Sequence, residues 1–336
     1  MNDEIVVVTV LIMVLIPIIV LFFIYDKEED PNKEKEEAVI AQKNKFDQFI
    51  DAVKSNDLNK LNELISDINV NLHDSKGMTA LLYACSSGSL ELVQFLHGHG
   101  ALLDNLSRDG LKSPLHFATE NNHSEVIQAL FTYDADPNLQ DEEGITPVMN
   151  IIKNSNIEML NLALEYGGDL HVQSRNGMNC LMYAAAYGSV DMFNLILDLV
   201  GEKSIDEVSS SGWTPLMFAI DKGNYDAFKL LLERGADIDI KSKIKITPLM
   251  LACETQELDM VEALLEEGAS INAQSAEQWT ALHFAVNSDN PRIVKALLDR
   301  RPDTTIENSL GDTASKLAMR RRHGPVVSIF DKHVSD

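Results

Sequence analysis

The chain is 336 residues long, 45% hydrophobic and 24% charged, globular values that exclude wholesale disorder, a collagen-like repeat and a disulfide-dense miniprotein. Its 52 Asp and Glu against 28 Lys and Arg give a formal charge of -24, a field that repels phosphate, so nucleic acid is not an expected partner. Three cysteines cannot build a disulfide framework.

Residues 1–4 read as a short tail. From Ile5 to Ile24 twenty residues pass without a charge, mostly Val, Ile and Leu; as a helix rising about 1.5 Å per residue they would span roughly 30 Å, the thickness of a bilayer core. A transmembrane helix over residues 5–25 is therefore expected, with Pro17 tolerated as a kink. Asn2, Asp3 and Glu4 are not the positive leader of a secretory signal, and the run ends in Phe22, Phe23, Ile24 and Tyr25 rather than in small residues, so the segment reads as an uncleaved anchor. Lys27, Lys33, Lys35, Lys43 and Lys45 follow the span and no Lys or Arg precedes it, which puts the body on the cytoplasmic side; a periplasmic or external body is the alternative. Residues 26–45 carry dense mixed charge and one Pro, and read as a solvated, partly helical linker.

Residues 46–336 repeat. Thr79, Ser113, Thr146, Asn179, Thr214, Thr247, Thr280 and Thr313 are spaced by 34, 33, 33, 35, 33, 33 and 33 residues, and the text around them recurs, as in Ser113-Pro114-Leu115-His116-Phe117-Ala118, Gly212-Trp213-Thr214-Pro215-Leu216 and Thr280-Ala281-Leu282-His283-Phe284-Ala285. The Thr hydroxyl suits an N-cap, Pro suits a first turn that needs no amide hydrogen, and the following Leu and Ala point inward. A second helix follows, with apolar residues such as Val126, Ala129 and Leu130 at i, i+3 and i+4, and stops at Gly100, Gly167, Gly235 or Gly268. Next comes a turn with Gly144, Gly177, Gly212 or Gly311, read as a β-hairpin-like finger. Each unit buries little alone, so stacked units must share a continuous core.

This text resembles the ankyrin repeat, whose signature is Thr-Pro-Leu-His-x-Ala on a 33-residue period; the resemblance covers about Phe46 to Phe330. It implies an all-α repeat solenoid of helix-turn-helix units with fingers, about eight to nine units including caps, preceded here by a single transmembrane helix. The unit from Phe46 to His73 lacks the Thr-Pro motif, as a capping repeat would, and the unit around Leu317 with Arg320, Arg321 and Arg322 suits a C-terminal cap. Lys245 and Gln278 stand where the finger Gly belongs, so those two fingers are expected to be reshaped. Residues 200–211 form a longer, acidic connection.

No catalytic constellation emerges, and no enzyme activity, cofactor or metal is expected. His97 and His99 are two potential ligands without a third. His116 and His283 sit at the motif position whose imidazole, by the resemblance, bridges backbone between neighbours; Leu82, Met149, Met182, Met217, Met250 and Lys316 replace it elsewhere. Cys85, Cys180 and Cys253 should be buried and unpaired, which suits a reducing compartment. The useful signals are surfaces: the resemblance implies that partners meet the finger tips and the first-helix face, which line a concave groove. One helical column supplies Tyr83, Phe117, Tyr183, Phe218 and Phe284, the fingers add Trp213, Trp279, Lys243 and Lys245, and aromatics are enriched at interfaces. These are the candidate partner-binding residues.

Charge is uneven. Residues 46–290 contain 37 acidic and 14 basic residues, and residues 291–322 contain 4 and 8, so a protein partner with a basic patch is expected to be steered to the body. The reading is a monomeric, membrane-anchored scaffold or adaptor; an inhibitory or immunity-type module that blocks a partner enzyme or toxin is the alternative.

Overall fold

The computed structural model describes the backbone of residues 31–335 and the side chains of residues 35–333. The expected tail, the expected span at 5–25 and the first residues of the linker lie outside the described residues. Among the described residues no helix is long and apolar enough to cross a membrane.

The described residues divide into two compact units, the first ending at Asn69 and the second beginning at Val70. In the first, helix α1 (Pro31–Lys54) is followed by α2 (Leu58–Leu64) and a 3-10 turn, Ile65–Asp67. Helix α1 runs through position 45 without a break, because its charged half is built from Lys, Glu, Ala and Gln with no Gly. Residues 35–44 are all exposed; burial begins at Phe46 and continues through Phe49, Ile50 and Val53, the i, i+3, i+4, i+7 stripe of a helix with one apolar face. Asp57 caps α2 by accepting from the Lys60 amide at 3.0 Å.

The second unit holds eight helix pairs: α3 (Ala80–Ser87) with α4 (Leu90–Gly98), α5 (Pro114–Glu120) with α6 (Ser124–Thr132), α7 (Pro147–Lys153) with α8 (Ile157–Glu165), α9 (Cys180–Tyr187) with α10 (Val190–Val200), α11 (Pro215–Asp221) with α12 (Tyr225–Glu233), α13 (Pro248–Thr255) with α14 (Leu258–Glu266), α15 (Ala281–Asn287) with α16 (Pro291–Leu298), and α17 (Ala314–Arg321) with α18 (Gly324–Ser335). Each first helix packs on the first helix of the next pair. The period is the cause: Thr79, Ser113, Thr146, Asn179, Thr214, Thr247 and Thr313 each accept the amide three residues on, a cap worth about 1 kcal/mol apiece. Leu81, Leu115, Val148, Leu181, Leu216, Leu249 and Leu282 then point into the stack with 0–2% exposure, and burying each such side chain contributes roughly 1.5–3 kcal/mol. Ala84, Ala118, Ala184, Ala219, Ala252, Ala285 and Ala318 lie at 0%, small enough to let neighbouring helices approach.

In the motif His column, Met149, Met182, Met217 and Met250 are fully buried; unbranched and adaptable, methionine fills what an imidazole would occupy. The acidic connection at 200–211 is absorbed by an 11-residue α10 and a 3-10 turn, Glu202–Asp206. The fingers are not strands. The single β pairing among the described residues is an isolated bridge between Glu307 and Thr313, because each finger is too short for more than one closing hydrogen bond.

Candidate partner-binding face

Eight fingers form one after another at residues 74–78, 107–112, 141–145, 174–178, 209–213, 242–246, 275–279 and 308–312, each closed by a backbone bond between its ends, as from the Ser209 amide to Trp213 O at 2.9 Å. The first residue locks the turn. Asp74, Ser107, Asp141, Ser174, Ser209, Ser242, Ser275 and Asn308 each accept, through the side chain, the amide at the far end of the finger. Sequence reasoning missed this column, although a short polar acceptor four residues before the end of the turn, five at Ser107, was there to be read.

The fingers are then tied to one another. The amides of Arg108, Glu142, Arg175, Ser210, Lys243, Ala276 and Ser309 donate to Gly77, Gly110, Glu143, Asn176, Ser211, Ile244 and Glu277 carbonyls at 2.8–3.0 Å. One bond joins every neighbouring pair, so the tips of the second unit form a continuous row. A second set of staples sits ahead of the fingers: Asn71, Asn138, Asp206, Asp239 and Asn272 accept the amides of Leu102, Asp169, Asp237, Ser270 and Asp303 in the following repeat.

The two fingers expected to be reshaped are not. Lys245 and Gln278 take φ of 59° and 60°, the left-handed conformation of the glycines they replace, and the closing bonds Ser242 N to Ile246 O and Ser275 N to Trp279 O remain at 2.9 Å. The locking serine and the bonds to adjacent fingers outweigh the local preference of the L-residue, and both side chains stay exposed.

The sequence-predicted residues separate by burial. Tyr183 and Phe218 are largely buried, at 8% and 9%, whereas Tyr83, Phe117 and Phe284 are half-buried, and Lys243 and Lys245 are exposed. Trp213 and Trp279 are not free tips: each is half-buried with its ring tilted against its own first helix, Trp213 on Phe218 at 5.4 Å and Trp279 on Phe284 at 5.3 Å between ring centres. The reason is position, since both follow the turn residue and already lead into the helix. The exposed apolar tips are Leu111, Ile244 and Leu310, none of which the motif reading singled out. The Tyr83 hydroxyl donates to Asp74 Oδ2 at 2.7 Å; burial, then this bond, push its ionisation up to about 12.

Two clefts open along this face. One of about 890 Å³ is walled by finger residues Asp109, Glu142, Glu143 and Arg175 and by Phe117, Lys153 and Tyr183 from the first helices. Tyr187, also on its rim, lies 5.5 Å from Lys153 Nζ and 5.8 Å from Lys222 Nζ, within reach of a cation–π attraction. A second cleft of about 460 Å³ has Trp213 and Phe218 with Ser209, Ser210, Ser211 and Asn176 around it. Mixed charge and aromatic surface in shallow concavities suit a polypeptide better than a small molecule, which wants an enclosed apolar pocket.

The remaining chemistry-bearing residues are structural. The Nε2–H of His116 donates to Ile145 O at 2.9 Å in the next repeat while Nδ1 accepts the Ser113 amide at 3.1 Å; His283 repeats this with Asp312 O and the Thr280 amide. Burial lowers the pKa of both imidazoles. His97 stacks on Tyr133 at 3.8 Å, and His99 Nδ1–H donates to Phe95 O; no group of three His, Cys, Asp or Glu among the described residues could hold a metal. Cys85, Cys180 and Cys253 are buried free thiols, and burial pushes Cys180 up to about 12.

Comparison with known proteins agrees with this geometry. The profile described as ankyrin repeats (3 copies) matches residues 49–141, 115–206, 148–242 and 241–308, which together span 260 of the 336 residues. Similar proteins include the E3 ubiquitin-protein ligase Ufd4 of Drosophila melanogaster, 35% identical over 30% of this chain and 4% of that protein. The human palmitoyltransferase ZDHHC17 is 37% identical over 21% of this chain and 11% of its own length. The human BCL-6 corepressor-like protein 1 is 40% identical over 23% and 4%. The chain spans a small fraction of these relatives, so the likeness is one of repeats and not of whole proteins. Eight helix pairs, seven of them capped at the first helix, a tied row of fingers and a profile match over most of the length lead to one conclusion: the chain belongs to the ankyrin-repeat family.

Proposed function

We propose that this protein is a non-catalytic, membrane-anchored adaptor that holds a partner protein against the face formed by its fingers and first helices. The observation that carries the reading is the tied finger row beside half-buried aromatics: seven backbone bonds hold the tips in a fixed array, and a rigid array loses little entropy when a partner docks. Tyr83, Phe117, Phe284, Trp213 and Trp279 supply the amphipathic contact area that interfaces favour. The charge-free run Ile5 to Ile24 supports the anchor, and the lysines that follow it support a single-pass protein with its repeats on the cytoplasmic side.

Two experiments test this. A cysteine-accessibility label fused after Asp336 is protected from external reagent if the body is cytoplasmic; external labelling would overturn the orientation and bring the inhibitor-like reading forward. Crosslinking in native membranes should capture a partner that is lost with Trp213→Ala and Trp279→Ala combined with charge reversal along the fingers. Persistence of the same crosslink in that variant would remove the finger and first-helix face as the binding surface.

A further inference from the structure

We propose that the sixth finger and the Trp213–Phe218 cleft together seat an acidic segment of the partner that carries an apolar anchor. This rests on the adaptor reading above and names the partner's chemistry at one place on that face, against the expectation from net charge that the partner is basic.

Three of the 14 basic residues in 46–290 fall within five positions, at Lys241, Lys243 and Lys245. All three are exposed. Lys60, Lys112, Lys222, Lys229 and Arg234 reach a neighbouring carboxylate; these three lysines, like Lys76, Arg108, Lys153, Arg175 and Lys203, enter no ion pair among the described residues, but no other finger carries three such cations. Between two of them stands Ile244, 63% exposed. The tip is held from both sides, since the Lys243 amide donates to Ser211 O and Ile244 O accepts the Ala276 amide, each at 2.9 Å. The cations are therefore displayed on fixed backbone rather than on a loose loop, and their order is paid for at folding.

The bond from Lys243 to Ser211 also places this tip beside the cleft of about 460 Å³, where Trp213 and Phe218 offer aromatic surface and Ser209, Ser210 and Ser211 offer hydroxyls. A Leu- or Phe-sized side chain fits such a volume, and carboxylates flanking it fall against the lysines. The concavity decides between two anionic partners: an extended peptide can enter it, and the plane of a bilayer cannot.

The test is selection of a displayed random 12-residue peptide library on the full chain in phosphatidylcholine nanodiscs, followed by affinities for the wild type and four variants. Enriched peptides should carry two or more Asp or Glu around one apolar residue. Lys241→Glu/Lys243→Glu/Lys245→Glu should weaken them at least tenfold and Trp213→Ala severalfold, with Glu262→Lys/Glu266→Lys, exposed on helix α14 away from the fingers, leaving them unchanged; matching urea midpoints guard against misfolding. No enrichment, enrichment of basic peptides, or acidic peptides indifferent to the lysine reversal would overturn the proposal. Peptides lost only with Glu142→Lys/Glu143→Lys would overturn it while leaving the binding face standing, and peptides indifferent to every substitution would sink both. Phosphatidylserine vesicles bound through the three lysines, with peptide binding unaffected by their reversal, would replace the acidic segment with a membrane surface.

Discussion

Replacing Lys245 by Gly should make the protein more stable. The residue sits at φ 59°, a conformation that costs an L-residue about 1–2 kcal/mol, and its exposed side chain makes no ion pair among the described residues that the substitution would forfeit. Glycine removes that strain but adds unfolded-state freedom worth roughly 0.5–1 kcal/mol, so the net gain is about 0–1.5 kcal/mol, centred near 0.75. Gln278→Gly, at φ 60° in the next finger, should behave alike. Two reverse substitutions calibrate the result. At Gly311, φ 76°, an added Cβ meets nothing within 4 Å, so Gly311→Ala should destabilise by the same net, about 0.75 kcal/mol. At Gly177 the Cβ would stand 2.5 Å from the Ser210 amide nitrogen, which donates to Asn176 O at 3.0 Å; weakening that bond adds roughly 0.5–1.5 kcal/mol to the backbone strain. Equilibrium urea unfolding, followed through Trp213 and Trp279, reads all four. A Lys245→Gly midpoint below wild type, with Gly311→Ala unchanged, would refute the premise that left-handed strain dominates at the tips.

Four further outcomes follow from the interior. Burial lowers the pKa of His116 and His283, so the unfolded chain binds more protons than the native one, and stability should fall as pH drops below about 6.5, the unfolded histidine value; urea midpoints at pH 7.5 and 5.0 should differ in that sense, and less so in a variant lacking both imidazoles. At fixed pH, His116→Ala leaves the Ser113 amide and Ile145 carbonyl without their partner and should cost about 1–3 kcal/mol in denaturant titration. Phe193→Ala, at a fully buried site, should cost about 3–5 kcal/mol by the same measurement. Cys85, Cys180 and Cys253 are buried, so a thiol reagent should label none of them promptly in the native protein and all three in urea, seen as three added masses.

The repeat was legible because it is written redundantly. A Thr cap, a Pro at the first turn and Leu two residues after the cap occur often enough that single departures, such as Asn179 for Thr or Cys180 for Pro, do not hide the 33-residue period. Burial within a helix followed too, since Leu115 and Ala118 face inward by the geometry of the helix itself. The binding face was less legible. Trp213 looked like a tip because tryptophan is rare and the finger is short, yet one residue past the turn the chain already enters α11 and the ring folds onto Phe218. Lys245 looked like a disruption because a sequence displays intrinsic preference and not the bonds that overrule it: Ser242 locks the turn from within, and Ser211 and Ala276 hold its tip from either side.

Lys245 also shows why net charge is a poor guide to what a repeat stack binds. A field summed over 37 acids and 14 bases in residues 46–290 sets how molecules approach from afar, but it is screened beyond about 8–10 Å at physiological ionic strength. At contact, the charges within one finger spacing decide. At the sixth finger those charges are three lysines that enter no ion pair among the described residues, around an exposed Ile244 and with Glu277 alone on the adjoining seventh tip, and one of the lysines is held in a backbone conformation that glycine would occupy with less strain. Such a residue costs the fold some stability, and under the proposal its ammonium group meets the acidic segment. The two terms separate in one variant: Lys245→Gly should raise the urea midpoint and lower affinity for an acidic peptide together. A rise in both would detach the strain from binding and leave Lys245 without a role at this surface.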